Sequence, residues 1–137
     1  MNSQYFVKMD TKILIVFIFA LESCSLTQTE DNPWWRLDLG YVTAIRELYL
    51  AAPRNGTELK DFEIRIGNST ENEGNNNDKC GDKHSVRPGD IKTISCNITG
   101  QYINIRVPES GKALSLCEVV PYGMGELVNR TELDRNS

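Results

Sequence analysis

An all-β domain built as an antiparallel sandwich is the fold class this sequence predicts, and three observations predict it. Short runs that alternate, or nearly alternate, between apolar and polar residues recur along the chain. Turn residues separate them, and no stretch sustains a helical period. A length of 137 residues with 39% hydrophobic content supports one domain with a real core. The formal charge of -4, with no basic run, excludes nucleic acid and an anionic membrane as partners.

Residues 1–22 stand apart from the domain. Lys8 and Lys12 precede a nine-residue apolar run, 13–21, and polar Glu22 and Ser23 follow at once. A positive segment before a short apolar run predicts a secretory signal, and nine residues are too few to span a bilayer. The alternatives are a buried strand or a misplaced start of the reading frame; no Ala-x-Ala pattern marks a cleavage point.

The first strand of the domain is expected at 35–39. Side chains on a strand alternate between faces, so Trp35, Leu37 and Leu39 share the core side. Trp34, Arg36 and Asp38 share the other, where the Trp34 indole can stack on the Arg36 guanidinium and Asp38 is within reach of it. Both tryptophans read as structural, since large aromatics mostly fill cores. A second strand is expected at 45–50; Glu47 and Leu48 would tolerate a short helix near Ala44, but the length favours a strand. Residues 62–66 and 102–107 alternate as half-buried strands do, and 91–96 and 116–122 complete the set.

Between these, residues 68–90 are rich in Asn, Gly, Asp and Glu, with Asn75, Asn76 and Asn77 at the centre. Such a run predicts a long surface loop rather than a ladder. The tail, 124–137, is polar and lacks a core face.

Cys24, Cys80, Cys96 and Cys117 form an even set in a chain expected to enter an oxidising compartment, so two disulfides are expected, with three pairings open. A local bridge between Cys80 and Cys96, across the polar loop, is the simplest choice and leaves Cys24 with Cys117. No CxxC spacing occurs and His84 is the lone histidine, which argues against structural zinc. Sequons stand at Asn55, Asn68, Asn97 and Asn129, where chance in this composition gives about one or two.

Four blocks, in order, resemble the F-type lectin (fucolectin) domain. They are Asn-Pro-Trp-Trp-Arg-Leu-Asp-Leu-Gly at 32–40, Phe-Glu-Ile-Arg-Ile-Gly-Asn-Ser at 62–69, Gly-Asn-Asn-Asn at 74–77 before Cys80, and Leu-Cys-Glu-Val-Val-Pro-Tyr-Gly at 116–123. The resemblance covers residues 23–123. It implies a jelly-roll β-sandwich related to discoidin domains, and the pairings Cys24 with Cys117 and Cys80 with Cys96.

The resemblance also implies a fucose site and a structural calcium. The family's sugar site uses a His two residues after the first cysteine and two basic side chains from an Arg-Gly-Asp segment ending in Arg or Lys. Charged donors of that kind grip sugar hydroxyls while an apolar surface packs on the methyl group. This chain departs at each position. Leu26 stands where the His would be and can donate no hydrogen bond. Arg54 aligns with the first arginine across a shortened loop, and Glu58 takes the place of the second basic residue, reversing its charge. A glycan on Asn55 would sit at the mouth of the site. For calcium, Ser23, the Cys117 carbonyl and the Glu118 carboxylate carry over; the family's other ligands lie in an N-terminal loop that the apolar leader replaces here.

These residues predict a secreted, glycan-binding, lectin-like module with an altered or lost fucose site, free to self-associate for avidity. The alternative is a degenerate structural or interaction module, or a fragment of a longer lectin gene. A membrane-inserting discoidin-like role is disfavoured, because the loops are Asn- and Glu-rich instead of apolar and basic. An enzyme is disfavoured too, since His84 lies in a polar loop beside Asp82 with no nucleophile motif.

Overall fold

The computed structural model describes residues 3–6, 25–54 and 59–123. In chain order the strands are β1 (Ser3–Phe6), β2 (Ser25–Leu26), β3 (Trp34–Ala51), β4 (Leu59–Gly67), β5 (Asp78–Val86), β6 (Ile91–Arg106), β7 (Ser115–Leu116) and β8 (Glu118–Tyr122), with one 3-10 turn at Glu71–Gly74. The larger sheet runs β1-β3-β6-β4-β5 with β8 also on β3, and β2 with β7 forms a two-stranded ladder. Among the described residues, all pairings are antiparallel except that of β1, which lies parallel to β3 along Trp35–Asp38. β1 falls inside the segment expected to be a leader; the apolar run at 13–21 lies outside the described residues.

The core follows from the alternation. Trp35, Ile105 and Ile64 stand in one cross-strand row, and Leu37, Ile103 and Ile66 in the next, every one essentially fully buried. Leu39, Ile45, Leu48, Leu50, Phe62, Leu114, Leu116 and Val119 extend the same core. The opposite face carries the row Arg36, Asn104, Arg65 and Lys79. Arg36 lies over Trp34, 5.1 Å to the ring centroid, as the sequence predicts, and also over Tyr102 at 5.6 Å.

Two pairs of expected strands prove to be continuous. Residues 35–39 and 45–50 are both within β3, and 91–96 and all of 102–107 but Val107 are within β6. The register explains why they read as separate: Asp38 faces Tyr102 and Thr43 faces Gly100, so β3 advances five residues while β6 advances two. Gly40, at φ 86°, makes that bulge, and the Asp38 carboxylate pins it by accepting from the Gly40 N–H at 2.8 Å and from Gln101 Nε2 at 2.9 Å. Beyond the bulge β3 pairs with β8, so the two long strands pass from one part of the sandwich to the other without a break.

The expected loop at 68–90 is a correction. Its second half forms β5, bridged to β6 by the Cys80–Cys96 disulfide. β5 is an edge strand whose outward residues are charged, and only Cys80 and Val86 of it are buried, so no alternation betrays it. The first half keeps its turn character, with Asn72 and Glu73 at positive φ. Asn77 ties the segment down: its Nδ2 donates to the Ser69 carbonyl at 2.8 Å, and its own carbonyl accepts from Arg65 Nη1 at 2.9 Å. The expected strand at 116–122 is interrupted at Cys117, which turns aside to donate its N–H to the Ala51 carbonyl at 3.0 Å.

Candidate functional site

The residues singled out from the sequence converge on one end of the sandwich through backbone pairing. Leu26 in β2 faces Ser115 in β7, and two residues on, Cys117 bonds Ala51 at the end of β3. Ala51 also faces Glu118, which is half-buried. From Ala51 the chain runs through buried Ala52 and Pro53 to exposed Arg54. That short segment is fastened to the β5–β6 turn, since Ala52 N–H donates to the Asp90 carbonyl at 3.2 Å and Gly89 N–H to the Pro53 carbonyl at 3.0 Å. The stem of Arg54 lies over Gly89, and the Arg87–Asp90 ion pair, 3.5 Å, occupies the same turn.

β4 enters the same end. Leu59 faces Val86, and Asp61, at φ 52°, donates its N–H to Ser85 Oγ at 3.0 Å. Asp is among the few non-glycine residues that adopt this left-handed conformation readily. Next to it opens a groove of about 240 Å³ with Leu59, Val107 and Ala113 as apolar lining and Lys60, Asp61, Glu109 and Lys112 as polar lining. Lys112 and Glu109 are 3.8 Å apart, and both are substantially exposed. A second groove of about 250 Å³ runs along the β5–β6 turn past Arg87, Asp90 and Lys92. Cationic donors and carboxylate acceptors around a small apolar floor suit a polyhydroxylated ligand.

Of the expected sugar residues, Arg54 is therefore at this end, while Glu58 and the sequon Asn55 lie outside the described residues. Of the expected calcium ligands, Cys117 is buried and disulfide-bonded and Glu118 borders it, while Ser23 lies outside the described residues, as does Cys24, the expected partner of Cys117. Among the described residues, no three His, Cys, Asp or Glu side chains cluster as a metal site. Six to eight oxygen ligands are needed for calcium, so the described residues alone do not fit the ion.

Asn68 and Asn97 are exposed, and Asn129 lies outside the described residues. The Asn68 Oδ1 accepts from the Gln101 N–H at 3.0 Å, which leaves its Nδ2 for other chemistry. His84 is structural: its Nε2 donates to the Cys80 carbonyl at 2.7 Å and its ring packs 5.8 Å from Phe62.

Lys60, Asp61, Glu109 and Lys112 were not visible as a group in the sequence. They lie about fifty residues apart in two pairs, and only the approach of the start of β4 to the 107–113 loop joins them. The positive φ of Asp61 was the one local signal, and it shows only in the backbone.

A family model described as a NedA-like, galactose-binding domain matches residues 10–105. Fucolectin-1 of Anguilla japonica is 35% identical over 105 residues, covering 74% of this chain and 58% of its own length. Fucolectin-5 of the same eel is 36% identical over 101 residues, 71% of this chain and 53% of its own. The chain thus spans a little over half the length of these relatives. Among solved structures, the fucolectin from striped bass (Morone saxatilis) serum superposes with a TM-score of 0.71 at 34% identity, covering 77% of this chain and 38% of that one. A fucose binding module of Streptococcus pneumoniae, SpX-3, shares the fold at a TM-score of 0.58 and 21% identity, over 74% of this chain and 72% of that one. The all-β architecture is accordingly the jelly-roll sandwich of these neighbours, and the chain belongs to the NedA-like galactose-binding family as an F-type lectin domain.

Proposed function

We propose that this chain is a secreted carbohydrate-binding module of the fucolectin type whose fucose grip is altered. The observation that carries the reading is the convergence, at one end of a fucolectin-like sandwich, of Arg54, the Leu26 position and the groove of Lys60, Asp61, Glu109 and Lys112. The relatives are named for fucose, and the same end of this fold is where the resemblance sets the sugar. Leu26 and Glu58 remove two of the expected donors, so L-fucose alone is held weakly and the polar groove takes a larger share of the contacts. The N-terminal leader directs the chain out of the cell, and Asn68 and Asn97 receive glycans there. Self-association supplies the avidity that one shallow site lacks.

The second reading, a module that binds no glycan, draws on the same two substitutions. A glycan array probed with the secreted chain, with and without chelator, separates them. Binding to glycans that carry fucose or galactose, with weak retention of free L-fucose, is the expected result. A folded protein that retains no glycan removes the binding half of the proposal. The double variant Leu26→His, Glu58→Arg restores the missing donor types and is expected to strengthen L-fucose binding by about tenfold or more.

A further inference from the structure

Away from that end, β3 runs between β6 and β8 with Glu47 and Tyr49 on its outward face and Tyr122 opposite Glu47. Tyr49 is 36% exposed, and its ring packs on Tyr122 with centroids 4.8 Å apart and planes inclined by 57°. Beside the pair lies a groove of about 340 Å³ that Arg46 and Glu47 also line. A register shift between Ile45 and Glu47 brings these two consecutive charged residues to the surface together. On β6, exposed Thr93 faces Tyr49 and exposed Ser95 faces Glu47, so hydroxyl groups border the aromatic pair.

We propose that this tyrosine shelf is a second sugar site, which takes one neutral pyranose ring of an external glycan. Tyrosine offers an apolar face with a polar tip, which matches the C–H face and the hydroxyl rim of a pyranose. Arg46 supplies donors and Glu47 an acceptor, and together they carry no net charge, so an anionic ligand gains nothing here. The volume is at the small end of ligand sites, which run from about 300 to 1,000 Å³, and so suits a single ring. The site is separate from the fucolectin-type end, and neither depends on the other.

The test is a titration of the 15N-labelled full chain, made without N-glycans so that no sugar on Asn97 competes. L-fucose, D-galactose and N-acetyl-D-glucosamine are added separately, and amide shifts are followed at both sites. Saturable shifts at Glu47, Tyr49 and Tyr122 by at least one sugar are expected, with Tyr49→Ala weakening that binding about tenfold and the rest of the spectrum retained. The proposal is overturned by unmoved shelf resonances at sugar concentrations on the order of 100 mM, or by an affinity that Tyr49→Ala leaves unchanged. It is equally overturned if the shelf amides respond only to protein concentration, which would make the face a contact between copies. Shifts at Arg54, Lys60 and Lys112 report the fucolectin-type end independently, so failure of one site is distinguishable from failure of the other.

Discussion

Glu63 lies beneath three cations on the polar face of the larger sheet. Arg106 Nη2 donates to its Oε1 at 3.2 Å, Arg65 Nε approaches the same oxygen at 3.6 Å, and Lys79 Nζ reaches Oε2 at 3.7 Å. The residue is 7% exposed, and burial by itself raises a carboxyl pKa. The Arg106 hydrogen bond and the charges of Arg106, Arg65 and Lys79 outweigh burial and hold the group below its ordinary value. A carboxyl whose folded pKa is depressed contributes stability in full above its unfolded value, and loses it as pH falls through the folded one. Glu63→Gln is therefore expected to cost about 2 kcal/mol at neutral pH. Its deficit against the parent should shrink as pH drops below about 4. Urea titrations of both proteins at pH 7 and pH 3 measure this; an equal deficit at both values would assign the loss to packing instead of charge.

Glycine and disulfide constraints act on whole strands. A Cβ built on Gly100 would stand 2.5 Å from the Gly67 backbone, so β6 can pass the end of β4 only without a side chain there. Gly100→Ala is expected to destabilise the domain by about 2 kcal/mol or more, because a backbone neighbour cannot rotate away, and thermal melts would show it. The Cys80–Cys96 bridge closes a loop of 16 residues, and the double variant Cys80→Ser, Cys96→Ser is expected to lose about 3 kcal/mol in denaturant titration. Legibility in the sequence followed the same constraints. Phe62, Ile64 and Ile66 announced β4, and Ile103 and Ile105 announced the end of β6, because half-buried strands must alternate. β5 stayed hidden because an edge strand bearing Asp78, Lys79, Asp82 and Lys83 has almost no core face to display. The candidate site was half legible: Arg54 was expected from the family blocks and lies at the fucolectin-type end, whereas the Lys60 to Lys112 groove and the proposed tyrosine shelf arise from register and bulges that no local pattern encodes.

At the scale of the whole molecule, the corner around Cys117 decides whether the domain leans on a metal. Calcium requires six to eight oxygens, and the described residues bring only the Cys117 carbonyl and the Glu118 carboxylate from the expected set. The corner is instead fastened by protein contacts. Cys117 is disulfide-bonded, its N–H meets the Ala51 carbonyl at 3.0 Å, and the β2–β7 ladder sits beside it. Thr27 closes the seam, donating its N–H to the Leu114 carbonyl at 3.0 Å and accepting the Leu114 N–H on its hydroxyl at 2.9 Å. A ligand at a hundred times its Kd would add about 2.7 kcal/mol. For a domain of this size that raises Tm by roughly 8 °C or more. With the corner already closed, chelator is expected to move Tm by less than about 2 °C, read by differential scanning calorimetry with calcium and with excess chelator. A shift of the larger size would mean that residues outside the described ones complete an oxygen shell around Glu118, and glycan binding should then fall with chelation in the same titration.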